Sequence, residues 1–102
     1  MKRYRISLNG TNFLFNFEET TPEKYGFFTT RWVKATNANE AETRAIGLIK
    51  KCPDLTQRTL NQRDDPPMIY VEEIVPVGMF EYLRRSPGRG YTFYPEDADD
   101  KV

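Results

Sequence analysis

The chain has 102 residues, with 15 Lys and Arg balanced by 15 Asp and Glu and with 14% aromatics, so it has room for one compact core and too much Phe, Tyr and Trp for a disordered segment. It contains no His, the commonest general base and metal ligand, and its single cysteine, Cys52, excludes an intrachain disulfide, a CxxC redox pair and a structural zinc site. Zero net charge argues against a protein that coats nucleic acid, and no stretch approaches the ~20 apolar residues of a membrane span.

The N-terminus, MKRYRISLNG, opens with charge, and its uncharged run from Ile6 to Phe17 is broken by Asn, Thr and Gly, unlike the apolar centre of a signal peptide. The expectation is a cytoplasmic protein with Cys52 reduced. Asn9-Gly10 lies between two alternating runs, Arg3–Leu8 and Thr11–Phe17, and favours the positive φ angles of a type I′ turn. A two-residue loop there pairs Leu8 with Thr11, Ile6 with Phe13 and Tyr4 with Phe15. The resulting hairpin has Tyr4, Ile6, Leu8, Phe13 and Phe15 on one face and Arg3, Arg5, Ser7, Asn12 and Asn16 on the other.

Glu18 to Gly26 reads as a polar loop ended by Gly26, and Phe27 to Ala35 as a third strand rich in aromatic and β-branched residues. Asn37, with Glu40 three residues later, has the spacing of a capping box at the start of a helix. Ala38, Ala41, Ala45, Leu48 and Cys52 recur at helical spacing, flanked by Ile46 and Ile49, and Pro53 ends the helix after Lys50 and Lys51. Asp54 to Pro67 is a long polar connection with a short turn of helix around Leu55 to Leu60. Met68 to Val77 reads as a strand that Glu72-Glu73 interrupts, the place for a bulge or a strand end. Met79 to Leu83 reads as a helical turn, Arg84 to Gly90 as a Pro- and Gly-rich loop, and Tyr91 to Tyr94 as a short last strand. The order β-β-β-α-β-β implies an α+β fold, an antiparallel or mixed sheet with one main helix on one face. Residues 1–95 form a single domain and 96–102 an acidic tail.

The blocks RYRISLNGTNFLF, GFFTTRWVKA, NEAE, PPMIYVEEI and GYTFYPED are similar to the recurring blocks of a family of small bacterial conserved domains of uncharacterised function, a resemblance that spans most of the chain and implies no activity. The order of three strands, helix and strand also resembles the partial double-stranded-RNA-binding fold of HicB-type antitoxins. That resemblance is one of topology, and this chain ends in acidic residues where many such antitoxins have a DNA-binding segment.

Arg89-Gly90-Tyr91-Thr92-Phe93-Tyr94 partly matches the aromatic RNA-recognition strand, with Tyr91 and Phe93 to stack bases and Arg89 for phosphate, but Glu96, Asp97, Asp99 and Asp100 beside it repel a phosphate backbone. Arg84, Arg85 and Arg89 form a cationic loop, and Arg3 and Arg5 a second cluster on the outer face. Both suit carboxylate or phosphate contacts, and the loop can also close onto the acidic tail of its own chain. Adjacent Glu72 and Glu73 point to opposite faces of a strand and make no catalytic pair. Asp64 and Asp65 fit a solvated turn, and Cys52 has no His to activate it. Trp32 and the Phe13–Phe15–Phe17 row read as core, but fourteen aromatics (one Trp, six Tyr, seven Phe) exceed what one helix covers, and if Leu14, Phe28, Trp32 and Tyr70 share the second sheet face they form an association surface. The expectation is a non-enzymatic protein-interaction module, with no cofactor or metal, that binds its own copy or another protein through the sheet face. Its candidate interaction residues are Arg84, Arg85, Arg89, Tyr91, Phe93, Arg3, Arg5 and Trp32. The alternative is a nucleic-acid-associated or antitoxin-like module that uses the Arg clusters.

Overall fold

The computed structural model describes residues 1–16, 21–84 and 90–96. Four antiparallel strands, β1 (Lys2–Phe15), β2 (Glu23–Ala35), β3 (Met68–Val77) and β4 (Thr92–Pro95), form one sheet in the order β3-β1-β2-β4. The main helix, α1 (Ala38–Lys50), packs on one face, followed by the single turn α2 (Pro53–Thr56), while α3 (Met79–Leu83) follows β3. The fold is α+β with one helix covering an antiparallel sheet, as the sequence implied. No helix among the described residues is long and apolar enough to cross a membrane.

The expected N-terminal hairpin is not formed. Residues 2–15 are one continuous strand that runs straight through Asn9-Gly10, and no glycine among the described residues has positive φ. β1 instead pairs with β2 along its whole length, Lys2 opposite Ala35, Leu8 opposite Thr29 and Phe15 opposite Glu23. The register shifts between Gly10 and Phe13, where Thr11 and Asn12 stand against Gly26 alone and Asn12 has φ 60°. This bulge swaps the inward positions from even to odd numbers, so Tyr4, Ile6, Leu8, Phe13 and Phe15 are all buried on one face. The face assignment therefore stands although the turn does not, because a bulge and a two-residue turn change parity alike. Tertiary contacts decide between them. The Asn9 side chain donates to the Phe27 carbonyl at 2.9 Å and to the Tyr94 hydroxyl at 2.9 Å, and the Phe27 ring lies over Gly10 so closely that a Cβ there would sit 2.2 Å from it. With two strands before the helix, the chain also departs from the three-strand order that gave its resemblance to the antitoxin fold.

Gly26, expected at the end of a loop, lies inside β2 for the same reason. It pairs with Tyr94, whose ring covers it on the face opposite the Phe27–Gly10 contact. β3 pairs with the other edge of β1, and the bulge expected at Glu72-Glu73 is present, since Ser7 opposes Glu73 while Leu8 opposes Val71.

α1 starts where its cap was read. Asn37 Oδ1 accepts from the Glu40 N–H at 2.9 Å, and Glu40 Oε1 reaches back to the N–H of Thr36, one residue before the box position. Its buried stripe is Ala41, Ala45 and Ile49, an i, i+4 row, rather than the expected row through Ala38 and Leu48, both of which are exposed. Two alanines in that row let the helix approach the sheet closely, and Phe15, Phe27, Ile6, Leu8 and Ile49 are fully buried between the layers. Each such side chain stabilises the fold by about 1.5–3 kcal/mol through burial alone.

Candidate functional site

The helix covers the face that carries the even-numbered residues of β1 up to Leu8, so Arg3, Arg5, Ser7 and Asn9 point to the other, open face. The strand register sets their neighbours in rows across the sheet. Arg3 aligns with Lys34 and Val77, Arg5 with Trp32 and Val75, Ser7 with Thr30 and Glu73, and Asn9 with Phe28 and Tyr70. Leu14, Phe28, Trp32 and Tyr70 do share this face, as the sequence suggested. Phe28 and Tyr70 are 48% and 49% exposed, and Phe28 stacks on Tyr94 at 5.2 Å.

The two aromatic rows flank a row of small hydroxyl side chains. Ser7 and Thr30 floor a trough of about 500 Å³ bounded by Phe28, Thr92 and Glu72. Further along the same face, over the rows of Arg3 and Arg5, α3 packs down through buried Tyr82. The Tyr82 ring meets Trp32 edge-on at 6.5 Å and lies under Arg3 at 6.0 Å and Lys34 at 5.5 Å. Opposite Tyr82 on the same short helix, Phe80 is 80% exposed, with Leu83 and Met79 beside it also exposed. Arg5 is engaged on three sides, 6.0 Å over Trp32, 3.8 Å from Glu73 and 3.7 Å from Glu81. Its charge is thus balanced within the chain.

Tyr91 and Phe93, expected as interaction residues, lie on the helix side of the sheet. Tyr91 meets Phe27 edge-on at 5.0 Å, and Phe93 packs at 5.6 Å on Phe15 and 5.9 Å on Phe27. Tyr91 extends the core at the sheet edge while Phe93 remains 39% exposed there, and neither shares a face with Arg3, Arg5 and Trp32, because Phe93 pairs with inward-facing Phe27. The Tyr91 hydroxyl is buried beside Cys52 and Arg31 without a well-formed hydrogen bond. Desolvation first, then the Cys52 thiol, push its pKa up to about 12. Arg31, not singled out in the sequence, is buried; its guanidinium lies 5.1 Å over the Tyr91 ring, and Nη1 donates to the Thr29 hydroxyl and, at 2.8 Å, to the Thr30 carbonyl. The Thr29 hydroxyl in turn donates to the Gly90 carbonyl. Arg84 is exposed at the C-terminal cap of α3, whereas Arg85 and Arg89 lie outside the described residues, as do Phe17 and tail residues 97–102.

Two further features complete the surface. The Asn12 bulge is a polar junction. Its N–H donates to both Glu96 carboxylate oxygens, its side-chain amide donates to Asp65 at 2.8 Å and to the Pro66 carbonyl at 3.1 Å, and its carbonyl accepts from Asn61 at 2.8 Å. Lys24 bonds both Asn12 Oδ1 and Asp65, and that contact, ahead of the one from Asn12, holds the Asp65 carboxyl below its ordinary pKa. An apolar cleft of about 470 Å³ opens where the end of α1 meets α2 and β3, lined by Phe13, Ile46, Ile49, Leu55 and Ile69 with Lys50 at its rim. Among the described residues, no three His, Cys, Asp or Glu side chains gather as metal ligands would.

Comparisons with protein-family models, with curated proteins and with solved structures found no match.

Proposed function

We propose that the chain is a non-enzymatic protein-interaction module whose docking surface is the open sheet face. The observation that carries this reading is the collection of half-exposed Phe28 and Tyr70 with strongly exposed Phe80 on the side of the sheet that α1 leaves uncovered, where Phe28 borders a trough. Aromatic side chains of this kind supply interface area at small entropic cost, and Arg3, Lys34, Glu72 and Glu73 supply a mixed polar rim. The lack of His and the lone Cys52 support binding over catalysis, and the lone Cys52 also fits a cytoplasmic setting.

The test is capture from native lysate by tagged wild-type protein and by a Phe28→Glu variant, with nuclease treatment in parallel. Proteins retained by the wild type, resistant to nuclease and lost from the variant support the reading. An identical set on both proteins removes the sheet face from it. A nucleic-acid-associated role is the second reading, resting on the same exposed rings beside Arg3 and Lys34 on a four-stranded sheet. The pairing of Arg5 with Glu73 and Glu81 weighs against it. Titration with labelled RNA and duplex DNA at two salt concentrations separates the two, since phosphate binding falls steeply with salt.

A further inference from the structure

We infer that the occupant of the open face is a second copy of this chain, in a two-fold dimer in which α3 of each protomer seats in the trough of the other. The inference rests on the interaction role proposed above and adds the identity of the partner. A projection and a hollow lie side by side on one surface. The projection is α3, with Phe80 80%, Leu83 66% and Met79 55% exposed, and the hollow is the trough of about 500 Å³ over Ser7 and Thr30. Such a surface is self-complementary, because one two-fold axis lying across the strands between the two features places each projection over the partner's hollow.

Spacing, charge and area agree with that arrangement. α3 lies over the rows of Arg3 and Arg5, and the trough begins at the row of Ser7. Alternate residues on one face are ~6.8 Å apart, so projection and hollow are ~10 Å apart, which sets the two α3 helices side by side at a normal helix–helix distance. The same rotation carries Lys34 toward the partner's Phe28 ring and Arg3 toward the Asn9 row that Glu72 borders, so cations meet a ring and an acid rather than one another. Three strands spaced ~4.8 Å over about nine residues of rise, with β4 adding a fourth only beside Tyr25–Phe28, give a face of ~500 Å², or ~1,000 Å² buried over two copies, about the minimum for a specific interface.

Sedimentation velocity of the full chain across a graded concentration series tests the inference. The expected result is a monomer–dimer equilibrium. Phe80→Ser, which removes the projection, and Thr92→Trp, which fills the hollow from its exposed rim, each weaken it at least tenfold without changing circular dichroism or Tm. An equimolar mixture of the two variants associates more tightly than either alone, because one intact projection then meets one intact hollow. A wild type that stays monomeric throughout overturns the dimer, and a dimer that neither variant weakens overturns this mode of docking. Failure of the dimer is separable from failure of the wider reading, because a monomeric wild type whose lysate capture still depends on Phe28 keeps the face and loses only the second copy.

Discussion

Replacing Gly10 by Ala sets a methyl carbon 2.2 Å from Cε2 of Phe27, 2.4 Å from Cζ and 2.7 Å from Cδ2. Carbon atoms rest ~3.5–4.0 Å apart, so the ring has to retreat by more than ~1 Å. It has nowhere to go. Phe27 is fully buried, with Phe13 and Tyr91 each at 5.0 Å and Phe93 at 5.9 Å from its centroid. Overpacking of this kind costs about 1–3 kcal/mol. The backbone itself raises no objection, because Gly10 does not have positive φ. With a urea slope of about 1–2 kcal/mol per molar for a chain this small, the midpoint falls by about 1 M. Gly47→Ala is the control: nothing lies within 4 Å of a Cβ at that helical position, so the substitution stabilises by about 0.5–1 kcal/mol. Phe27→Leu shortens the obstructing ring, so the double variant Gly10→Ala/Phe27→Leu loses less than the sum of its singles by at least ~0.5 kcal/mol. A Gly10→Ala protein as stable as the wild type, or strict additivity with Phe27→Leu, refutes the packing of ring over glycine and with it the continuous first strand.

Asn37→Ala removes the acceptor for the Glu40 N–H and lowers stability by about 1 kcal/mol, read as a shift in urea midpoint. The Tyr91 pKa, raised from 10.0 to about 12, makes the neutral hydroxyl's contribution complete below pH 10 and lost as pH rises through 12. Urea midpoints measured from pH 9 to pH 12 therefore fall less steeply in Tyr91→Phe than in the wild type, and equal slopes would exclude Tyr91 as the source. For Asp65 the sign is opposite. A lowered carboxylate pKa contributes stability above pH 3.8 that disappears as pH falls further. In Lys24→Met the Asp65 titration followed by NMR moves up toward 3.8, and an unmoved titration contradicts the Lys24 contact.

Signals that act over a few residues were legible in the sequence. Asn37 and Glu40 bracket the start of α1, Pro53 follows its end, and the break in alternation at Glu72-Glu73 marks the bulge in β3. The sides taken by Tyr4, Ile6, Leu8, Phe13 and Phe15 also followed from parity. What parity leaves open is whether the chain turns or bulges at Asn9–Asn12, because that depends on Phe27 and Tyr94, partners distant in sequence. The helical stripe runs from Ala41 and Ala45 to Ile49 rather than to Leu48, a choice between neighbouring apolar positions that the packing of the helix on the sheet makes. In the candidate site, Arg3 and Arg5 lie on the outer face that alternation assigns them, with Trp32 beside Arg5 rather than in the core, whereas Tyr91 and Phe93 lie on the helix side because β4 pairs Phe93 with Phe27. The exposed apolar side chains of α3, Met79, Phe80 and Leu83, carried no signal in a five-residue segment whose placement on the sheet is set by Tyr82 and Trp32.

The partners of Asn12 lie 12, 49, 53 and 84 residues away along the chain, in β2, in the connection after α2 and just past β4. Such bonds close only after the segments that bear them have been brought together, so they belong to the last part of folding rather than to its nucleus. Their weight therefore falls on the rate at which the native chain opens. Substituting Asn12 leaves the refolding limb of a chevron nearly unchanged and steepens the loss of native protein with time. A single bulged residue in the central strand thus acts as a clasp that sets how long the folded state lasts once it has formed.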